Sequence, residues 1–309
     1  MAVKVRELAK YLAGEKALKG ISFEVPDGAL FGIIGADGAG KSTLLTILAT
    51  LMDADSGNVE ILGMDLKRDF KTLRHRIAFM PQRFSLYPDL TVAENLNFFA
   101  DLYDFDPEEK QKRMAELLRF SALEPFQKRS AGLLSGGMKQ KLALCCCLLH
   151  QPSLIYLDEP TVGVDPVARR DFWILLKSLK SQGVTLVVST PYMDEAKLCD
   201  TLLLLHHGKV LASGTPRQML DQYPYSLYRI RGSAPLHYSA RQSPPEGVAL
   251  VYPAAGELSA ATETGIPDSE VWKLFPEASD SERVNPEIED LFFALLSREP
   301  ADIVEPVSK

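Results

Sequence analysis

Long apolar runs are missing from this sequence. A helix that spans a bilayer needs about 20 consecutive, mostly apolar residues, whereas apolar runs such as Leu142–Leu149 and Leu202–Leu205 are far shorter. The first residues also lack the apolar core and the cleavage site of a signal peptide. We therefore expect a cytoplasmic chain that reaches the inner face of a membrane only through partner proteins.

Positive charge is also in short supply. The chain has 34 Lys and Arg residues against 41 Asp and Glu residues, which gives a formal net charge of -7. Proteins that bind nucleic acid need a basic surface to neutralise phosphates, so we expect no nucleic-acid partner. The 46% apolar and 24% charged residues are the balance of a globular protein rather than a disordered one.

Cysteine is rare and is clustered. Cys145, Cys146 and Cys147 are consecutive and Cys199 stands alone, so the C-x-x-C spacing of a metal or redox site is absent. In a reducing compartment such residues act as small apolar side chains. We expect all four thiols to be buried and structural.

Short apolar runs alternate with helical segments through the first 222 residues. This alternation predicts an α/β domain over residues 1–222, with a largely parallel sheet covered on both faces. Helical patterns dominate from about residue 85 to 150, where Thr91 and Glu94 have the spacing of a capping box. Residues 223–309 are predicted to form a small, separate α+β domain. The predicted strands of the first domain are Ile21–Val25, Leu30–Ile34, Val59–Leu62, Ile77–Met80, Ser153–Leu157, Val184–Ser189 and Leu202–Leu205.

A glycine-rich turn lies between the strand at Leu30–Ile34 and the next predicted helix. Residues 35–42 read GADGAGKS, which matches the P-loop pattern G-x-x-x-x-G-K-[ST]. Glycines let the backbone N–H groups surround phosphates, the lysine contacts the β- and γ-phosphates, and the serine hydroxyl is a ligand for Mg²⁺. The predicted ATP-binding residues of this segment are Gly35, Gly38, Ala39, Gly40, Lys41, Ser42 and Thr43.

Two carboxylates follow the apolar strand at Ser153–Leu157. In a P-loop ATPase this is the second metal element, so Asp158 is predicted to hold Mg²⁺ through water. Glu159 would then lie next to the γ-phosphate and activate the attacking water. The position at the end of a core strand makes this pair informative.

A second phosphate-binding turn precedes another predicted helix. Residues 134–140 read LSGGMKQ, and Ser135, Gly136 and Gly137 supply a hydroxyl, backbone N–H groups and the positive end of the helix. Two such turns in one chain are unexpected for a single nucleotide. They are explained if each turn completes the site of another chain in a dimer.

These motifs together resemble the ATP-binding subunits of ABC transporters, over at least residues 3–222. The resemblance implies a P-loop core with an antiparallel β part and a helical subdomain. It also implies ATP and Mg²⁺ as cofactors, and as partners a second ATP-binding subunit and multi-span permeases. By the same resemblance, Gln82 senses Mg²⁺ and the attacking water, and Tyr11 stacks on adenine, with a plain surface tyrosine as the alternative. Gly163–Pro166 resembles the D-loop.

Three further segments are similar to the branch that contains drug and polysaccharide exporters. They are Ser85–Asn95, Gly208–Pro216 and Glu287–Phe292. An exporter is therefore the expected type of transporter.

The chain departs from the family at one position of the site. Such proteins have a histidine after the strand that ends in Ser-Thr, where it contacts the γ-phosphate. This sequence has Pro191, which offers no side-chain donor and no backbone N–H. Losing one hydrogen bond to a charged group costs about 1.5–3 kcal/mol, so we expect ATP to bind normally and to be hydrolysed slowly. A heterodimer with one slow and one fast site is one explanation, and a homodimer that tolerates the loss is the other.

Two smaller departures from the family motifs are also present. Asp37 stands where asparagine is common, and Met138 replaces the usual glutamine of the second motif.

Two other functions are alternatives to transport. A soluble ABC protein that acts on ribosomes or DNA is the second possible function, although only one ATPase unit and no long heptad repeats are present. A regulatory subunit that binds ATP without needing turnover is the third.

Overall fold

The computed structural model describes residues 1–83, 86–232, 244–254, 257–263, 266–275 and 278–298. Two compact units divide between Pro216 and Arg217, where the sequence placed a boundary after residue 222. Ser85, which begins both the exporter-like segment and the predicted helical subdomain, lies outside the described residues, as does the polar tail 299–309.

The first unit is organised around a six-stranded sheet in the order β10-β9-β3-β8-β7-β6. The pairs β9–β3, β3–β8, β8–β7 and β7–β6 are parallel, and only β10 runs antiparallel to its neighbour. All residues of β3, β7 and β8 are buried, as expected for strands covered on both faces. The strands are β3 (Leu30–Ile34), β6 (Ile77–Met80), β7 (Leu154–Asp158), β8 (Thr185–Thr190), β9 (Thr201–His206) and β10 (Lys209–Gly214).

A second sheet of the first unit is antiparallel, with the strand order β2-β1-β4-β5. Its strands are β1 (Val3–Leu12), β2 (Glu15–Val25), β4 (Ser56–Ile61) and β5 (Met64–Asp65). Residues of both sheets, among them Val5, Ile21 and Phe31, share one apolar core with helix α1, Lys41–Leu48. Apolar patterns in the sequence located only part of this sheet, since three charged residues interrupt the buried positions of β1.

The remaining helices of the first unit are α2 (Phe70–Arg74), α3 (Val92–Ala100), α4 (Pro107–Phe120), α5 (Gly136–Leu148) and α6 (Pro166–Ser181). The predicted capping box begins α3: Glu94 N donates to Thr91 Oγ1 at 3.2 Å and Thr91 N donates to Glu94 Oε2 at 2.8 Å. None of the described helices is both long and apolar enough to cross a membrane.

The cysteines lie in the core of the first unit. All four are buried and free, and burial raises the pKa of the Cys145 thiol to about 12. Within the described ranges no cluster of three or more His, Cys, Asp or Glu residues is able to hold a metal ion. The structural interpretation of these residues is consistent with this environment.

The second unit contains a four-stranded antiparallel sheet in the order β12-β13-β11-β14, with short helices. One group of buried residues includes Tyr252 and packs against Phe293 of the last helix, and another includes Tyr228 and packs with the 3₁₀ turn Asp268–Leu274. The elements are α7 (Pro216–Leu220), β11 (Ser226–Gly232), β12 (Val248–Ala254), β13 (Glu257–Thr262), β14 (Ala278–Val284) and α8 (Ile288–Leu296).

Candidate functional site

The P-loop links the end of β3 to the start of α1, and its glycines are required by its backbone. Gly38 and Gly40 have φ angles of 77° and 103°, in the left-handed region that side chains rarely occupy. A Cβ on Gly35 would lie 2.3 Å from the backbone oxygen of Leu205, and one on Gly40 would lie 2.9 Å from that of Ala17. Glycine at these positions therefore lets the turn pack closely against neighbouring backbone.

Lys41, the first residue of α1, is directed into the centre of the site. Its side chain is only 3% exposed, and its ammonium group donates to the carbonyl oxygens of Gly35 at 2.8 Å and Ala36 at 3.0 Å. The same nitrogen lies 2.9 Å from Glu159 Oε1. A buried ammonium group with these partners is held as a fixed point charge at the loop, suited to phosphate oxygens.

Glu159 directly follows β7 and is positioned by the neighbouring strand. Its backbone, at a φ of 48°, donates its N–H to Ser189 Oγ at 2.9 Å. The Ser189 hydroxyl in turn donates to Asp158 Oδ1 at 2.6 Å. Gln82 Nε2 donates to Glu159 Oε2 at 2.8 Å. Three segments that are far apart in the chain thus bring Lys41 and Gln82 into contact with Glu159.

These side chains line a cavity of about 1080 Å³. The upper end of the usual range for ligand pockets is about 1,000 Å³, so the space is adequate for a nucleotide. Gly35 and Asp158 lie outside its lining: Gly35 supplies a carbonyl oxygen to Lys41, and Asp158 adjoins Glu159. The lining residues are Leu12, Glu15, Lys16, Ala17, Lys19, Asp37, Gly38, Ala39, Gly40, Lys41, Ser42, Thr43, Gln82, Glu159, Val162, Pro191, Tyr192 and His207.

Several lining residues were not found from the sequence. Lys16 and Lys19 come from β2, and His207 comes from the turn before β10. Tyr11, in contrast, is 53% exposed and is not part of the lining, although its neighbour Leu12 is. Its ring lies 5.8 Å from the Lys16 ammonium group. The stacking of Tyr11 on adenine therefore stays a prediction.

The residues predicted for Mg²⁺ are all oxygen donors, as this ion prefers. Ser42 is exposed near the start of α1, and Gln82 keeps its amide oxygen free of the bond that its nitrogen makes to Glu159. Asp158 is 4% exposed and is one residue from the cavity lining, which suits contact through a water molecule. The donor set fits Mg²⁺, which keeps several waters and takes further oxygens from a nucleotide.

The second phosphate-binding motif is at the start of α5. Ser135 caps this helix, accepting a hydrogen bond from Met138 N at 3.3 Å. Ser135, Gly136 and Gly137 are not among the described residues that line the cavity at the P-loop. That they bind the nucleotide of a second chain stays a prediction.

The two glycines of this motif differ in their surroundings, which allows a matched test. A Cβ on Gly137 would lie 2.4 Å from Ala168 Cβ of α6, whereas one on Gly136 would meet nothing closer than 3.9 Å. We expect Gly137→Ala to lower the free energy of unfolding by about 1–3 kcal/mol through overpacking. Gly136→Ala is the control and should not lower the melting temperature. Equal melting temperatures of the two variants would contradict this packing argument.

Pro191 and Tyr192 line the cavity, and the residue before them is anchored by a buried carboxylate. Glu195 is 1% exposed and accepts hydrogen bonds from Thr161 Oγ1 at 2.8 Å and Thr190 Oγ1 at 2.5 Å. Because Thr161 precedes the D-loop-like segment and Thr190 precedes Pro191, this carboxylate ties the two segments together.

Comparisons with known proteins identify the family. The family model for ABC transporter proteins matches residues 18–162. The Nod factor export ATP-binding protein I of Rhizobium etli is 31% identical over 315 residues, which cover 96% of this chain and 94% of that relative. This chain belongs to the ABC transporter ATP-binding family. The resemblance and the fold class that the sequence predicted are thereby confirmed.

Two further comparisons agree with this family. A probable multidrug ABC transporter ATP-binding protein of Escherichia coli K12, YbhF, is 45% identical over 192 residues, or 62% of this chain. The chain spans 33% of the length of that relative. The dimeric post-hydrolysis structure of the ATP-binding cassette MJ0796 with ADP and phosphate has a TM-score of 0.63 and 30% identity, covering 69% of this ABC transporter ATP-binding chain and 98% of the cassette.

Proposed function

We propose that this chain is the ATP-binding and ATP-hydrolysing subunit of an ABC exporter, driven by ATP-dependent closure of a dimer. The observation that carries the proposal is the convergence of Lys41, Gln82 and Glu159, with Glu159 in contact with both of the others. Lys41 would bind the β- and γ-phosphates, and Glu159 would activate the attacking water. Gln82 would contact Mg²⁺ and the attacking water. Mg²⁺, held through Ser42, Gln82 and Asp158, would supply charge neutralisation of the phosphates.

The exporter assignment and the partners rest on relatives. The names of two of them refer to Nod factor export and to multidrug transport. No described helix is able to span a membrane. Multi-span permease partners would provide the path of the transported substrate across the membrane. Such partners would hold this cytoplasmic subunit at the inner face of the membrane.

The rate at this chain's own site is expected to be low because Pro191 lines the cavity beside Glu159 without a hydrogen-bond donor. A partner chain with a complete site would then provide the faster turnover. A homodimer with two slow sites is the alternative arrangement.

The dimer is tested by a charge placed at the second motif. We expect the full chain to form dimers with ATP but not with ADP in size-exclusion chromatography with light scattering. Ser135→Asp should abolish these dimers, because aspartate caps a helix as well as serine but repels a partner's phosphates. The control is Ser153→Asp, which adds the same charge at an exposed position just before β7, at the end of the strand away from Asp158. Dimers that form equally well with Ser135→Asp would contradict the arrangement.

Transport is distinguished from other roles by what the chain binds in cell extracts. Co-purification with a multi-span membrane protein from detergent-solubilised membranes is the expected result. Recovery with ribosomes or DNA instead would contradict it.

A regulatory subunit is the second candidate, and the observation that favours it is Pro191 in the cavity lining. Such a subunit would bind ATP and close the dimer, but loss of its own turnover would leave transport unchanged. Transport measured with Glu159→Gln in this chain alone separates the two candidates.

A further inference from the structure

Tyr192 directly follows Pro191 in the cavity lining and, unlike proline, carries hydrogen-bond donors. Both residues line the cavity together with Lys41, Gln82 and Glu159. The backbone N–H of Tyr192 is already used, because it donates to Thr190 Oγ1 at 3.1 Å. The phenol hydroxyl is therefore the donor that remains in this short segment.

The ring of Tyr192 is held in place from one side. The guanidinium carbon of Arg169 lies 3.9 Å from the ring centroid, a separation typical of a strong cation–π contact. Arg169 forms an ion pair in turn with Glu195, whose Oε1 lies 3.7 Å from Arg169 Nε and accepts a hydrogen bond from Trp173 Nε1 at 2.9 Å. Because Glu195 is buried, the ring rests on a support that is anchored in α6 and in the core.

The hydroxyl of Tyr192 has no protein partner among the residues that the structure describes. A half-buried donor without a partner at the wall of a cavity is available to a ligand. The ligand group expected in this cavity follows from Lys41 and Glu159, which line it together with Tyr192 and mark the position of the terminal phosphate in a P-loop ATPase.

We propose that the Tyr192 hydroxyl donates a hydrogen bond to the terminal phosphate of ATP bound at this chain's own P-loop. The inference rests on the proposed function and adds a residue that recognises the γ-phosphate. A hydrogen bond from this hydroxyl would favour ATP over ADP, because ADP lacks the accepting group. It would also offset part of the loss of a donor at Pro191.

The test compares two nucleotides on the full-length chain. Calorimetric titrations with Mg²⁺–AMP-PNP and Mg²⁺–ADP are carried out on the wild type and on Tyr192→Phe, which keeps the ring on Arg169 and removes only the hydroxyl. We expect Tyr192→Phe to weaken AMP-PNP about tenfold, the effect of one hydrogen bond to a charged group. Affinity for ADP should stay within about twofold. Tyr225→Phe, in the other unit, is the control for loss of a hydroxyl.

Three outcomes would overturn the inference. Unchanged affinity for AMP-PNP would show that the hydroxyl makes no contact, and equal weakening of both nucleotides would show that it supports the cavity rather than the terminal phosphate. A wild-type chain that binds neither nucleotide would overturn the proposed function and this inference with it. A melting temperature of Tyr192→Phe close to that of the wild type establishes that the variant is folded.

Discussion

Replacing Glu159 by glutamine is expected to lower the rate of ATP turnover by about 10²–10⁴-fold, the usual contribution of a general base. Glutamine has nearly the same shape and still accepts a hydrogen bond from Gln82, but it does not take a proton from water. ATP affinity should change little, because Lys41 retains its bonds to the carbonyl oxygens of Gly35 and Ala36. Phosphate release at saturating ATP measures the rate, and calorimetry measures the affinity.

The control for this experiment is Glu24→Gln, an equal change of charge at an exposed position of β2. Its turnover should equal that of the wild type. If Glu159→Gln retained wild-type turnover, the general base would lie elsewhere and the assignment of Glu159 would be wrong. If the variant instead lost ATP binding, its pair with Lys41 would be needed for the shape of the P-loop.

Replacing Pro191 by histidine is expected to raise the turnover of the purified chain about ten- to a hundredfold. The imidazole would add one donor toward the terminal phosphate, and a hydrogen bond to a charged group contributes about 1.5–3 kcal/mol. Position 191 and Glu159 line the same cavity, so the new side chain is placed where the nucleotide would bind. Single-turnover measurements of phosphate release report the chemical step.

Pro191→Ala separates the donor from the rigidity of proline, because it restores a backbone N–H without adding a side-chain donor. We expect its turnover to stay well below that of Pro191→His. The double variant Pro191→His, Glu159→Gln should fall to the level of Glu159→Gln, since both changes act on the same step. No increase in Pro191→His would contradict the explanation of a slow site.

The sequence of the second motif predicts its local structure but not its packing. The residues 134–140 predict a helix start, and α5 does begin at Gly136 with Ser135 as its cap. Sequence alone did not show that Gly137 faces Ala168 while Gly136 does not. That difference depends on where α6 packs, which is a long-range property.

The sequence by itself determined the local features of this ABC transporter ATP-binding chain: the strand before the P-loop, the turn at residues 35–42, and the two carboxylates at the end of β7. These features follow from short patterns, because backbone conformation and strand burial depend on neighbouring residues. Tertiary structure alone decided that Glu159 touches both Lys41 and Gln82, and that Arg169 supports Tyr192 beside Pro191. These contacts depend on strand order, which places the ends of β3, β6, β7 and β8 at one edge of the parallel sheet, and no local pattern encodes that order.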